Sequence, residues 1–317
     1  MAMDRVQFQK GLSLSEFKQC FGTEEQCAAA LDTARGPDGF HCPQCGGTQH
    51  SVLKSGSRKT FQCNHCRHQT SLIAGTLFQG TRLPLTTWFL ALYLISQAKR
   101  GLSALALKRQ LGVSYPTAWR IHHKLMQSML EREALYTLQS SVQADDAYLG
   151  GENPGGKPGR GSENKAPFVA AVSMDAQGHP IYARFTAIQG FTSTAIEDWA
   201  RSTLDTECQV LTDGLLCFNG IADAGRAHAV VVAGGPSPGD LPQFRWINTV
   251  LGNLKTDLSG AYHAFKFRKY AQRYLSTMTY RFNRRFNLAD LPLSLLRAAV
   301  NTGFRPERWL RAAESSC

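Results

Sequence analysis

Two cysteine pairs, Cys42-Pro-Gln-Cys45 and Cys63-Asn-His-Cys66, form the densest set of metal ligands in the chain. A CxxC turn presents two thiolates to one side of a tetrahedral ion, and a second pair closes the other side. Four sulfurs leave no open coordination position, so the expected ion is structural, one Zn2+ per chain. His41, His65 and His68 lie nearby; the sulfurs suffice, and these rings read as facing solvent or phosphate. Cys20, Cys27, Cys208, Cys217 and Cys317 are scattered and read as small hydrophobes or idle thiols. The second chemical signal is carboxylate. Asp145 and Asp146 in VQADDAYLGG and Asp213 in VLTDG end apolar, strand-like runs. Such hard oxygen ligands hold two Mg2+ or Mn2+ ions roughly 3.5–4 Å apart for phosphodiester chemistry. Side chains alternate along a strand, so Asp145 and Asp146 are expected on opposite faces, with only one of them a ligand.

The partner of such a site should be polyanionic. Lys and Arg outnumber Asp and Glu by 35 to 24, a formal net charge of +11, and basic side chains displace the counterions condensed on phosphates. Hydrophobic residues are 43% of the chain, enough to build a core and too many for disorder. The N-terminal residues lack the apolar core of a signal peptide. The most apolar run, Trp88 to Ile95, is far shorter than the roughly 20 residues a membrane span needs. The expectation is a cytoplasmic protein with no membrane partner, whose thiols stay reduced and whose paired cysteines therefore mean metal.

The elements that must position these groups follow in order. Residues 1–40 are expected to form a helical segment, with Thr23 followed by Glu24, Glu25 and Gln26 as a helix start. Residues 41–72 are turn-rich and too polar to build a core without the metal, with Gly56 at a hairpin turn. Residues 83–132 carry three- and four-residue apolar spacing. Within them a short helix from Ser103 to Leu111, a Gly112-Val113 turn and a second helix with Ser114 as its cap and Pro116 in its first turn outline a helix-turn-helix. In that motif the second helix enters the major groove, with Tyr115, Thr117, Arg120 and Lys124 on the DNA side. Ala118, Trp119, Ile121, Leu125 and Met126 would face inward.

After residue 140 the period becomes that of strands. SVQADDAYLGG, APFVAAVSMD, HPIYARFTAI, CQVLTD and AHAVVVAGG read as strands, the second and third joined by the turn Asp175–Gly178, and TSTAIEDWARSTL reads as a helix. This order describes one mixed α/β sheet; an RNase H-like sheet carries one Asp on its first strand and another at the end of its fourth, which Asp145 (or Asp146) and Asp213 resemble, so an RNase H-like core is expected. The catalytic domain is placed at 139–265 and a C-terminal helical region at 266–317. There Phe267, Tyr270, Tyr274, Met278, Phe282 and Phe286 form an expected core stripe, with Arg281, Arg284 and Arg285 on the other face as candidate phosphate contacts. The glycine-rich loop with Lys157, Arg160 and Lys165 is either a mobile insertion or a segment that orders on DNA.

VQADDAYLGG, KPGRGSENK, VLTDG, WINTVLGNLKTDLSGAYHAF and YRFNRRF, after CPQC, CNHC and GTLFQGTRLPLTTWFLALY, resemble the motif series of a family of bacterial insertion-sequence transposases. That family joins an N-terminal zinc ribbon to a DDE-type catalytic domain, and the likeness runs in order over roughly residues 15–315. It implies that Asp145 is the first metal ligand, Asp213 the second, and Asn248, followed seven residues later by Lys255, the third position, where many relatives have Glu. Asp146 stands for an adjoining Glu of the family pattern, and Gln143 for an earlier one. Seven helical residues turn within roughly 20° of two full turns, so Asn248 and Lys255 share a face roughly 10 Å apart, while Asp257 points the other way. The implied activity is cleavage of DNA at the element's ends and attack of the freed 3′-hydroxyl on target DNA. The implied partners are the terminal inverted repeats, the target duplex and further copies of the chain, as a homodimer or higher oligomer on DNA. Asn248 brings no charge, which leaves open a transposase-derived DNA-binding regulator without activity; a plain RNase H-type nuclease would cleave without joining.

Overall fold

In the computed structural model, residues 9–55, 58–150, 165–231, 241–262 and 267–312 are described. Gly56, Lys157 and Arg160 lie outside them. The chain divides into two units: one takes it up to Glu131 and again from Arg284 to Arg311, the other spans Arg132–Asn283.

The first unit opens with α1 (Leu14–Phe21) and α2 (Glu24–Arg35), each started by a capping box, Ser13 with Glu16 and Thr23 with Gln26. The ribbon is an antiparallel sheet of β1 (His50–Ser55), β2 (Arg58–Cys63) and β3 (Gln69–Ser71). Next comes α3 (Leu85–Gln97). Pro84 precedes it and offers no cap, so the Glu24 carboxylate accepts from the N–H groups of Leu85 and Thr86 at 3.0 and 2.8 Å. The helix-turn-helix outline holds: α4 (Ala104–Leu111) is capped by Ser103, Gly112 turns the chain at φ 67°, and Ser114 accepts from Thr117 N–H at the head of α5 (Tyr115–Glu133). Ala118, Ile121, Leu125 and Met126 are buried as expected, and Trp119 is half-buried.

The second unit is built on five strands, β4 (Ser141–Leu149), β5 (Ala166–Met174), β6 (Pro180–Ala187), β7 (Gln209–Thr212) and β8 (Ala227–Val230), in the order β6-β5-β4-β7-β8. β4, β5 and β6 form an antiparallel meander; β7 runs parallel to β4 and β8 parallel to β7. This is the RNase H-like arrangement. Gly178, at φ 76°, closes the β5–β6 turn, where the Asp175 carboxylate accepts from Gln177 and His179 N–H. β5 is apolar almost throughout because both its faces are covered. One face packs Val142, Ala144, Val169, Ala171 and Val210 against α6 (Ser193–Thr203) and the short α7 (Gly220–Asp223). The other packs Phe168, Ala170, Val172 and Phe185 against α8 (Arg245–Ala261) and α9 (Phe267–Asn283).

The expected domain limits shift at the C-terminal side. α9 belongs to the sheet unit, because Ala271 and Leu275, with Met278 and Phe282, cover β5 and β6. The expected aromatic stripe is therefore partly replaced by small and aliphatic residues, and Phe286 is 46% exposed. α10 (Leu291–Asn301) and α11 (Glu307–Ala312) follow, and α10 packs against α2 and α3 in the first unit.

Candidate catalytic and zinc-binding sites

Strand parity sets the carboxylate site. Val142 and Ala144 point into the α6 layer, so Gln143, Asp145 and Ala147 point toward the α8 layer. The parallel register pairs Gln143 with Leu211, so Asp145, two residues along β4, is level with Asp213, which directly follows the end of β7. Gly214, at φ 91°, turns the chain away just after it, and the Asp213 carboxylate accepts from Leu215 N–H at 3.3 Å.

One expectation is corrected here. Asp146, which alternation assigns to the opposite face, offers a carboxylate oxygen within 4.8 Å of ligand oxygens from Asp145 and Asp213. Backbone parity fixes where Cβ points, but a carboxylate near a strand end can swing back. Asp145 bears the cost of this crowding. Burial, then the charges of Asp146 and Asp213, push the Asp145 carboxyl up to about 6, against the pull of Asp146 N–H and Lys255. Three carboxylates within 4.8 Å of one another form a hard-oxygen donor set that fits a divalent cation.

α8 brings up the remaining candidates. Ile247, Val250, Leu251 and Leu254 bury one stripe on the sheet, leaving Asn248 half-buried and Lys255 exposed, with its charge felt at Asp145. Asp257 points away, as the helical angle requires: it forms a buried ion pair with Arg281 of α9. That pairing corrects the reading of Arg281 as a phosphate contact, since only 10% of its side chain is exposed. Arg284 and Arg285 are half-buried; burial pulls the Arg285 guanidinium down to about 10, and it lies 4.2 Å over the Phe286 ring.

The cysteines converge without rearrangement. The Sγ atoms of Cys42, Cys45, Cys63 and Cys66 lie within 4.8 Å of one another, with Cys42–Cys66 at 3.5 Å and Cys45–Cys63 at 3.6 Å. A tetrahedron with Zn–S bonds of about 2.3 Å has edges of about 3.8 Å, so the cage fits zinc. The N–H of Cys66, opposed by desolvation and helped by that of His65, holds the Cys63 thiol down to about 6, favouring the thiolate a metal needs.

The helix-turn-helix candidates divide. Tyr115 is 48% exposed. Thr117 is hydrogen-bonded to Ser114, and Arg120 pairs with Glu307 at 3.3 Å while keeping part of its surface open. Lys124 is corrected: its Nζ donates to Leu77 O at 2.9 Å and sits over the rings of Trp88 and Phe304. Burial, and then Arg120, lower it to about 8.

Residues 137–283 match the ISXO2-like transposase domain, and residues 22–69 match the transposase zinc-ribbon domain. An uncharacterized protein in transposable element ISH50 of Halobacterium salinarum is 26% identical over 217 residues, 63% of this chain and 70% of that one. Among solved structures, the Mos1 mariner paired end complex with Mn is 12% identical over 65% of this chain and 76% of that chain; its TM-score of 0.25 is too low to carry any detail across. Among the described residues, no helix is long and apolar enough to cross a membrane.

Proposed function

This chain belongs to the insertion-sequence transposases that join a zinc ribbon to an ISXO2-like transposase domain, and from that premise we propose that it cleaves DNA strands at its element's ends and joins the freed 3′-hydroxyls to target DNA. The observation that carries this reading is the convergence of the Asp145, Asp146 and Asp213 carboxylates from two adjacent parallel strands. Asp145, Asp213 and the Asn248 side-chain carbonyl would hold the ions, and Asp146 would supply the charge that Asn248 lacks. Two bound Mg2+ or Mn2+ ions would supply Lewis acidity at the scissile phosphate and ease deprotonation of the attacking hydroxyl. Lys255, whose charge reaches Asp145, would neutralise a phosphate oxygen beside the ions. No protein nucleophile is required. The zinc ribbon and the exposed head of α5, with Tyr115 and Arg120, would grip the terminal repeats, and handling two ends together calls for at least a homodimer on DNA.

Labelled DNA carrying the element's ends, incubated with the chain and Mn2+, tests this. The expected result is nicking and strand transfer by wild type, and neither by Asp145→Ala or Asp213→Ala with DNA binding retained. A wild-type chain that binds the ends but never cuts would leave the DNA-binding regulator, the reading that Asn248 keeps open. Cutting without joining would mark a plain nuclease.

A further inference from the structure

Gln143 takes no part in the mechanism above, yet it is 4% exposed and stands two residues before Asp145 on β4. Its Oε1 accepts from the backbone N–H of Ile247 at 3.0 Å, 104 positions along the chain. Its Nε2 donates to the Met174 thioether on β5 at 3.2 Å. Buried Val172 stands opposite it on β5 and buried Ile247 lies against it from α8, where an amide is costly unless both its ends are bonded.

The bond to Ile247 fills a specific gap. The first N–H groups of a helix have no carbonyl of their own turn to pair with. At the head of α8 the N-cap position is held by Phe244, which forms no side-chain cap. Ile247 is the third residue of α8, the position whose N–H an N-cap oxygen ordinarily takes. Gln143 performs that role from the sheet. It points to the same side of β4 as Asp145, and Asn248 directly follows Ile247. One side chain thus ties the strand carrying Asp145 to the helical turn carrying Asn248. Further along, the Asp257–Arg281 pair fixes α8 to α9, so loss of the Gln143 bond would act on the first turn.

We infer that Gln143 is a positioning residue for the metal site: it caps α8 from β4 and thereby sets Asn248 relative to Asp145. The inference rests on the proposed ligand role of Asn248. Met at 143 keeps the volume and removes the acceptor; Glu keeps the acceptor. Groups that orient metal ligands typically change affinity about 10–100-fold when lost.

The test is Mn2+ binding followed by electron paramagnetic resonance on the full chain, with end-cleavage recorded beside it. Wild type is compared with Q143M, Q143E, N248A, the Q143M/N248A pair and D145A. Q143S, too short to reach Ile247, is carried in case Q143M melts early. Expected is Mn2+ binding about tenfold weaker in Q143M and Q143S, binding no weaker than wild type in Q143E, and no further loss when Q143M is added to N248A. A purely structural role would lower the melting temperature without this coupling. Unchanged Mn2+ binding in Q143M, or an equal loss in the N248A background, overturns the inference alone. Equal Mn2+ binding by wild type and D145A overturns the proposed metal site, and the inference with it.

Discussion

Replacing Asp145 with Asn should make the metal-free fold more stable while abolishing activity. The folded chain must hold Asp145 ionised, largely buried and beside Asp146 and Asp213, and its carboxyl is raised from 3.8 to about 6. Below 3.8 both states are protonated and nothing is lost. As pH rises from 3.8 to about 6, the unfolded chain releases its proton first, and folding loses stability that does not return at higher pH. The rise from 3.8 to about 6, at about 1.4 kcal/mol per pH unit, gives about 3 kcal/mol. Asn has nearly the same shape and no charge, so Asp145→Asn should gain about 2–3 kcal/mol near pH 7.5 without added divalent ion, and under about 1 kcal/mol near pH 4. For a unit of this size, 3 kcal/mol corresponds to a rise of roughly 6–12 °C in melting temperature. Differential scanning calorimetry at the two pH values reads it. Mn2+ should then stabilise wild type and leave the variant unmoved. A variant no more stable than wild type near pH 7.5, or equally favoured near pH 4, would refute the charge argument.

Three further outcomes are expected. Arg281→Ala strands the buried Asp257 carboxylate and should cost about 3–5 kcal/mol in urea unfolding, whereas Arg281→Met with Asp257→Leu recovers most of it and leaves DNA affinity intact; loss of DNA affinity in the pair would return Arg281 to the phosphate face. Metal analysis should find one zinc per chain, and Cys42→Ser should abolish hydrogen-exchange protection in β1–β3 while β4–β5 keep theirs. Burial, against a backbone hydrogen bond with Leu102, holds His122 down to about 4; its neutral form therefore supports the fold above pH 6.5, and about 3 kcal/mol should be lost as pH falls from 6.5 to about 4. His122→Leu should flatten that slope in pH-dependent melts, and an unchanged slope would count against it.

Much of this was legible because local chemistry and fold agree. Thr23, Ser103, Gly112 and Ser114 announce the helix boundaries they make, and the strand runs announce a sheet whose parity places Asp145 and Asp213 together. The misses share one cause: where a flexible side chain ends depends on which element lies beside it. Lys124 and Arg281 look like solvent cations on a helical face, but Trp88 with Phe304 and Asp257 respectively draw them inward. Asp146 obeys strand alternation at Cβ and escapes it at the carboxylate. The cap that Gln143 gives α8 spans 104 positions, and no local pattern announces it.

In the proposed reaction a divalent ion would sit between β4, β7 and α8. The most direct measurement is anomalous scattering from crystals of the chain with Mn2+ and a DNA end, collected at the manganese edge. Expected are peaks within coordination distance of the Asp145 and Asp213 carboxylates, with the Asn248 carbonyl turned toward them and a phosphate alongside. Manganese absent from these carboxylates, or found only elsewhere on the chain, would contradict this placement.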